Sequence, residues 1–256
     1  MTWIRSLIVA FSLYSRIPMP QFEWREGDLK HNLVFLPWVG AVVGALVYAS
    51  MAFFERVSIP LVAQVAIVSA IPLIVTGGFH VDGFMDVQDA LRSYKSREEK
   101  LEILKDPRVG AFSVICLLTY SLVWTASLAI ALEDDPQIVA PIFALSFFVV
   151  RALSGALALT LRRARNDGAL AMETRDAGNV DLWLLACQAT LGAATMIWLD
   201  AVSGVACVLA LALFTARYRR LCYREFGGVT GDTAGYYVTV GENVVLTTLA
   251  IARALQ

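Results

Sequence analysis

The chain has 256 residues, of which 58% are hydrophobic and only 17% charged, and its formal net charge is −1. A mean hydropathy of +0.64 excludes a soluble globular domain of ordinary balance. The net charge by itself says nothing about partners, among which no nucleic acid is expected, and the composition is that of an all-α, polytopic integral membrane protein.

Crossing a hydrocarbon core takes about 20 mainly apolar residues. Runs of that kind predict helices near 33–54, 59–78, 110–132, 138–161, 181–199, 201–216 and 234–254. A shorter apolar stretch, 3–17, is softened by Ser12, Tyr14 and Ser15, and spanning, re-entry and an interfacial position all fit it. The expectation is a single membrane domain, 1–256, with about seven to eight transmembrane helices. The stretch after residue 15, "SRIPMPQFEW", places Arg and paired Pro where small residues would mark a cleaved leader.

Lys and Arg collect in three long connections, 79–109, 162–180 and 217–233. The opposite turns, "ERVS" at 55–58, "EDDP" at 133–136 and Asp200, are short and hold one basic residue between them. The positive-inside rule puts the long connections in the cytoplasm, and alternation of the spans agrees. The lipid bilayer is the surrounding phase; a homo-oligomer is compatible with this. Trp38, Trp183 and Trp198 stand where interfacial anchors would. The four cysteines form no CxxC pair, and Cys116, Cys187 and Cys207 read as small apolar packing residues.

The first polar island is "GGFHVDGFMDVQDAL", 77–91. In a helix over 80–94 the spacing sets Asp82, Asp86 and Asp89 in one narrow sector. Three crowded carboxylates repel, and either a proton or a divalent cation relieves them. Ligands that are all oxygen suit Mg2+ or Mn2+, whereas Zn2+ would call for His and Cys, of which the stretch has only His80. The same pattern also describes the wet face of a connecting helix. The acids follow directly on Thr76, Gly77 and Gly78 at a predicted membrane boundary, which favours the metal reading. His80 has two readings as well, a phosphate contact or a base. A short surface helix should begin at Ser96, with Glu99 completing a capping box, and end near Asp106-Pro107. Lys105 and Arg108 beyond it suit either anionic oxygens or positive-inside anchoring.

The second island, "EFGGVTGDTAGYYVTVGEN", spans 225–243. Gly227, Gly228 and Gly231 around Thr230 allow a turn whose N–H groups form an anion nest, or simply a turn between helices. Asp232 follows at once, at the same end of the spans as the first island. Glu242 lies ten residues later inside an apolar run, and Arg151 lies inside another; each is a functional candidate, or the structural partner of the other charge.

Taken together, "SRIPMP" at 15–20, "FLPWVGAVVGAL" at 35–46, "GGFHVDGFMDVQDAL" at 77–91, "EILKDPRVGAF" at 102–112 and "GGVTGD" with Gly235 at 227–235 resemble cobalamin synthase, the adenosylcobinamide-GDP ribazoletransferase family of the inner membrane. The H-x-D-G acidic motif is specific; TGD gains its weight from order and position. Family members tend to carry a glutamate seven residues after the Asp of the Gly-rich motif, and Thr239 stands there in this chain, while the later acid, Glu242, is kept. The resemblance implies transfer from adenosylcobinamide-GDP to α-ribazole, or α-ribazole 5′-phosphate, with release of GMP. It implies magnesium on Asp82, Asp86 and Asp89, with Asp232 completing the set, and one of the carboxylates or His80 accepting the hydroxyl proton. The Gly-rich turn with Lys105 or Arg108 would hold phosphate oxygens. From the residues alone, a magnesium-dependent transferase acting on CDP-alcohols or prenyl diphosphates would use similar aspartates. A transporter would instead spread its polar residues through the midplane.

Overall fold

The computed structural model describes residues 2–25 and 27–256. In chain order it has α1 (Thr2–Tyr14), α2 (Asn32–Phe54), α3 (Leu61–Thr76), α4 (Phe79–Arg92), α5 (Arg97–Ile103), α6 (Ala111–Leu132), α7 (Pro136–Thr160), α8 (Ala169–Glu173), α9 (Asn179–Leu199), α10 (Ala201–Leu221), a π-helical turn (Cys222–Phe226) and α11 (Gly231–Ala254). The protein is an all-α polytopic membrane protein. Among the described residues five helices, α2, α6, α7, α9 and α10 with its π-turn, are individually long and apolar enough to cross a bilayer. α3 and α4 pass that test only as a pair, and they are bent by 92° at the break between them. The apolar run of α11 is interrupted by Glu242 and Asn243.

Helix ends follow local chemistry. Asp135 caps α7 through the Gln137 N–H at 2.9 Å, with Pro136 at the first position, where a missing N–H costs nothing. Asp200 caps α10 through the Ser203 N–H at 2.8 Å. The capping box expected at Ser96 and Glu99 is present. α10 runs past the predicted 216 because its buried stripe continues as Phe214, Tyr218, Cys222 and Phe226, a four-residue spacing that keeps one face packed. The charged run from Arg217 to Arg220 masks that stripe in the sequence.

The bundle is built on α7, whose buried face includes Phe143, Phe147, Val150 and Arg151. α2 lies against it with Gly40 and Gly44, whose absent Cβ atoms would strike the backbone of Phe147 and Ala144. This is close packing of backbones through small residues four apart, the association favoured where lipid gives no hydrophobic drive between helices. α9 closes the far side, with Gly192 against Val149. α11 threads the middle, burying Tyr237, Val238, Leu246 and Leu249.

Candidate functional site

The elbow after α3 sets the site. Gly77 and Gly78 are both left-handed, with φ of 66° and 80°, a conformation open to Gly at little cost. Their turn lays α4 across the ends of its neighbours. The inner side of α4, His80, Gly83, Phe84, Val87 and Ala90, is buried. Asp82 is exposed, and Asp86 and Asp89 are half-buried.

α4 crosses the start of α11 at two glycines. A Cβ on Gly83 would stand 2.8 Å from the Asp232 carbonyl oxygen, and one on Gly235 would stand 3.1 Å from the His80 carbonyl oxygen. Phe84 stacks on Tyr236 beside the crossing, with ring centroids 5.9 Å apart. The two polar islands, separate in the sequence, therefore meet, and Asp82 and Asp86 share a face with Asp232. Burial first, then Asp82, Asp232 and Asp89 in that order, push the Asp86 carboxyl up to about 7.

Asp89 turns to the next helix. Its oxygens accept from the Gly110 N–H at 2.7 Å and the Ser113 N–H at 2.8 Å. It thereby caps α6 and adds negative potential to the face. His80 points inward beneath α4, 6% exposed, so its ring and the aspartates lie on different sides of the helix.

The Gly-rich turn is sewn to residues 162–165. Gly227, with φ of 77°, offers its carbonyl to the Arg162 guanidinium at 2.7 Å. The Val229 N–H donates to the Arg162 carbonyl, and the Ala164 N–H donates to the Val229 carbonyl, both at 2.9 Å. The N–H groups of Gly227 and Gly228 donate to the Cys222 carbonyl, and that of Thr230 donates to the Thr233 hydroxyl at 2.9 Å. The N–H groups of the turn are thus committed internally, and the open end of α11 starts at Gly231. Residues 162–165 also bring Arg165 to Asp232, with its Nη2 3.9 Å from Oδ2, at a small cavity they share with Thr230 and Gly231. Arg165 Nη1 is buried there without a partner among the described residues. In the sequence Arg165 is one of the basic residues in the 162–180 connection, and the signal that could single it out is the run "RRAR" at 162–165, directly after a span.

Lys105 pairs with Glu102 at 2.8 Å and Arg108 with Asp106 at 2.6 Å, so both are engaged within their own exposed segment. Arg151 and Glu242 meet each other in the interior as a buried ion pair, and Arg151 also donates to the Phe147 carbonyl at 2.9 Å. The pair lines a cavity of about 120 Å³ under α4, together with His80, Tyr120, Trp124 and Thr239. Among the described residues, His80 Nδ1, Arg151 Nε and Thr239 Oγ1 have no hydrogen-bond partner. Arg151 and Glu242 therefore belong to the floor below the acidic face.

Among the described residues no three His, Cys, Asp or Glu side chains converge as a preassembled metal cage. The donor set still fits a hard divalent cation. Its accessible members are carboxylates, burial and then the charges of Asp82, Asp232 and Asp89 raise the Asp86 carboxyl, and magnesium commonly takes one or two carboxylates and completes its shell with water and substrate phosphates. Asp82, Asp86 and Asp232 are the residues placed to hold one.

A family model described as cobalamin-5-phosphate synthase matches residues 6–250. The chain is 34% identical to an adenosylcobinamide-GDP ribazoletransferase of Lachnoclostridium phytofermentans, over 93% of this chain and 90% of that one. A protein of the same name from Clostridium perfringens is 31% identical, over 93% and 94% of the two chains. Another from Listeria monocytogenes is 32% identical, over 97% and 98%. No solved structure matches the chain.

Proposed function

The chain belongs to the cobalamin-5-phosphate synthase family and acts as an adenosylcobinamide-GDP ribazoletransferase in cobalamin biosynthesis; we propose that the transfer takes place where Asp82 and Asp86 meet Asp232, and that it requires magnesium. The observation that carries this reading is the Gly83 crossing, which joins carboxylates 150 residues apart in the chain, Asp82 and Asp232, on one face.

In the proposed reaction a hydroxyl of α-ribazole, or of its 5′-phosphate, attacks the phosphorus that is bonded to cobinamide. A new P–O bond forms, the bond from that phosphorus to the oxygen of the GMP phosphate breaks, and GMP leaves with the bonding pair. Magnesium, when bound, neutralises charge on the diphosphate. Asp82, Asp86 and Asp232 would hold that cation beside the start of α11, where the helix N-terminus favours the negative charge of the diphosphate. Arg165, with its unpartnered Nη1, takes a phosphate oxygen as a fixed donor. The hydroxyl proton passes to a carboxylate of this face, because His80 lies beneath α4. Catalysis here is positioning and electrostatics rather than covalent chemistry.

The basic connections support a site that faces the cytoplasm of an inner-membrane protein. The test is substitution at the face. Asp82→Asn, Asp86→Asn and Asp232→Asn abolish GMP release in protein that still inserts and melts cooperatively; near-normal release from any of the three would refute the placement.

A further inference from the structure

Between α7 and α10 an open cleft of about 1150 Å³ separates the two helices. Its walls are Leu157 and Leu161 from the end of α7 and Ala212 and Ala216 from α10. Leu209 and Leu213, on the outer surface of α10, are 59% and 74% exposed, as suits side chains that meet hydrocarbon. At the polar end the cleft is crowned by Arg219, Arg220 and Arg224. Arg224 is paired with Glu225 at 3.0 Å, and Arg219 lies over the Tyr223 ring at 6.0 Å. Among the described residues no carboxylate stands within ion-pair distance of Arg219 or Arg220.

We propose that this cleft binds an anionic phospholipid, with an acyl chain along Leu157 and Ala212 and the phosphate on Arg219 and Arg220. An apolar slot that opens into the bilayer suits a hydrocarbon chain and is unfavourable for water. A basic crown at headgroup level selects for negative charge, each such residue adding a favourable attraction to an anionic surface. The proposal rests on α7 and α10 being membrane spans and is independent of the chemistry at the acidic face.

The bound headgroup also touches the catalytic architecture. Tyr223 lines the cleft and belongs to the π-turn that runs straight into Gly227. Its hydroxyl accepts from the Arg162 N–H at 3.2 Å, and its carbonyl accepts from Arg97 at 3.3 Å. On the other side Lys100 holds Glu225 at 2.6 Å. π-turns of this kind recur at functional sites. An anionic lipid thus braces the segment that carries the Gly-rich turn and Asp232.

The experiment compares thermal unfolding of the full chain in nanodiscs of phosphatidylcholine with discs containing increasing phosphatidylglycerol. The expected result is a rise in midpoint with phosphatidylglycerol. In Arg219→Gln/Arg220→Gln, reaching the same rise takes roughly tenfold more of that lipid, from the charge attraction lost, while melting in phosphatidylcholine is unchanged. Ala216→Trp, which fills the cleft and keeps the crown, gives the same loss and serves if the double variant folds poorly. The proposal is overturned by a midpoint that does not respond to phosphatidylglycerol, by an equal response in the variants, or by inorganic phosphate reproducing the rise in phosphatidylcholine, which would mark a free-anion site. None of these readings depends on GMP release, so failure here and failure of the transfer site are distinguishable.

Discussion

Gly83 on α4 lies directly on the backbone of Asp232 at the start of α11: a side-chain carbon at Gly83 would be 2.8 Å from the Asp232 carbonyl oxygen and 3.0 Å from its Cα. Backbone does not yield as a flexible side chain would, so Gly83→Ala must push the two helices apart. We expect a stability loss of about 1–3 kcal/mol from overpacking. We also expect GMP release to fall by roughly tenfold or more, because a shift on the order of 1 Å between reacting groups is costly. Gly235→Ala, at 3.1 Å from the His80 carbonyl, should be milder in both respects. Thermal unfolding and GMP assays on the two variants check the order.

Asp89 should separate from its neighbours on α4. Its carboxylate caps α6 through Gly110 and Ser113. Asp89→Asn keeps one acceptor oxygen, while Asp89→Ala removes the cap at a cost of about 0.5–2 kcal/mol. The expected signature is a lower melting temperature with residual transfer, whereas Asp82→Asn melts normally and is inactive. A dead but fully stable Asp89→Ala would assign Asp89 to the metal instead.

The raised Asp86 carboxyl gives a pH dependence of defined sign. Its value in the folded protein is pushed up to about 7 from an ordinary value of 3.8. Between those limits the folded state holds a proton that the unfolded chain has lost, so stability falls as pH rises through the window. Cation binding needs the ionised form. Apparent magnesium affinity should therefore climb as pH approaches 7 and level off above it, and Asp86→Asn should flatten the profile. Magnesium titrations of unfolding midpoint at several pH values measure this directly.

The Arg151–Glu242 pair should behave as a buried couple. Removing one partner strands a charge, at about 3–5 kcal/mol. Arg151→Met with Glu242→Leu together should recover much of that loss. A double-mutant cycle on thermal stability gives the coupling, and activity of the double variant tells whether the floor of the site needs the charges.

Much of the fold was legible because hydropathy runs and caps are local signals: the long helices fall near their predicted ranges, and the turn at Asp200 and the capping box at Ser96 were readable from residue type. The π-turn was not, since Cys222–Phe226 differs from the α10 register only through its packing. The shared face of the two islands was half-legible. Helical spacing grouped Asp82 and Asp86, and topology put Asp232 at the same end, but only the crossing at Gly83 and Gly235 sets α4 against the start of α11. The turn of Asp89 toward α6 and the pairing of Arg108 with Asp106 are tertiary and local-loop choices that no spacing rule specifies. Arg165 escaped notice because its role depends on residues 162–165 lying beside Val229. "GAVVG" at 40–44 offered a small-residue helix contact with α7 that the spacing alone could have suggested.

The central claim is a magnesium-dependent transfer at the acidic face, and one assay bears on it most directly. Purified protein in liposomes receives adenosylcobinamide-GDP and α-ribazole, and GMP is followed with magnesium and with EDTA. The account predicts GMP release that needs both substrates, stops with EDTA, returns with added magnesium and is absent in Asp82→Asn. Release that persists in EDTA, or that Asp82→Asn retains, would contradict it.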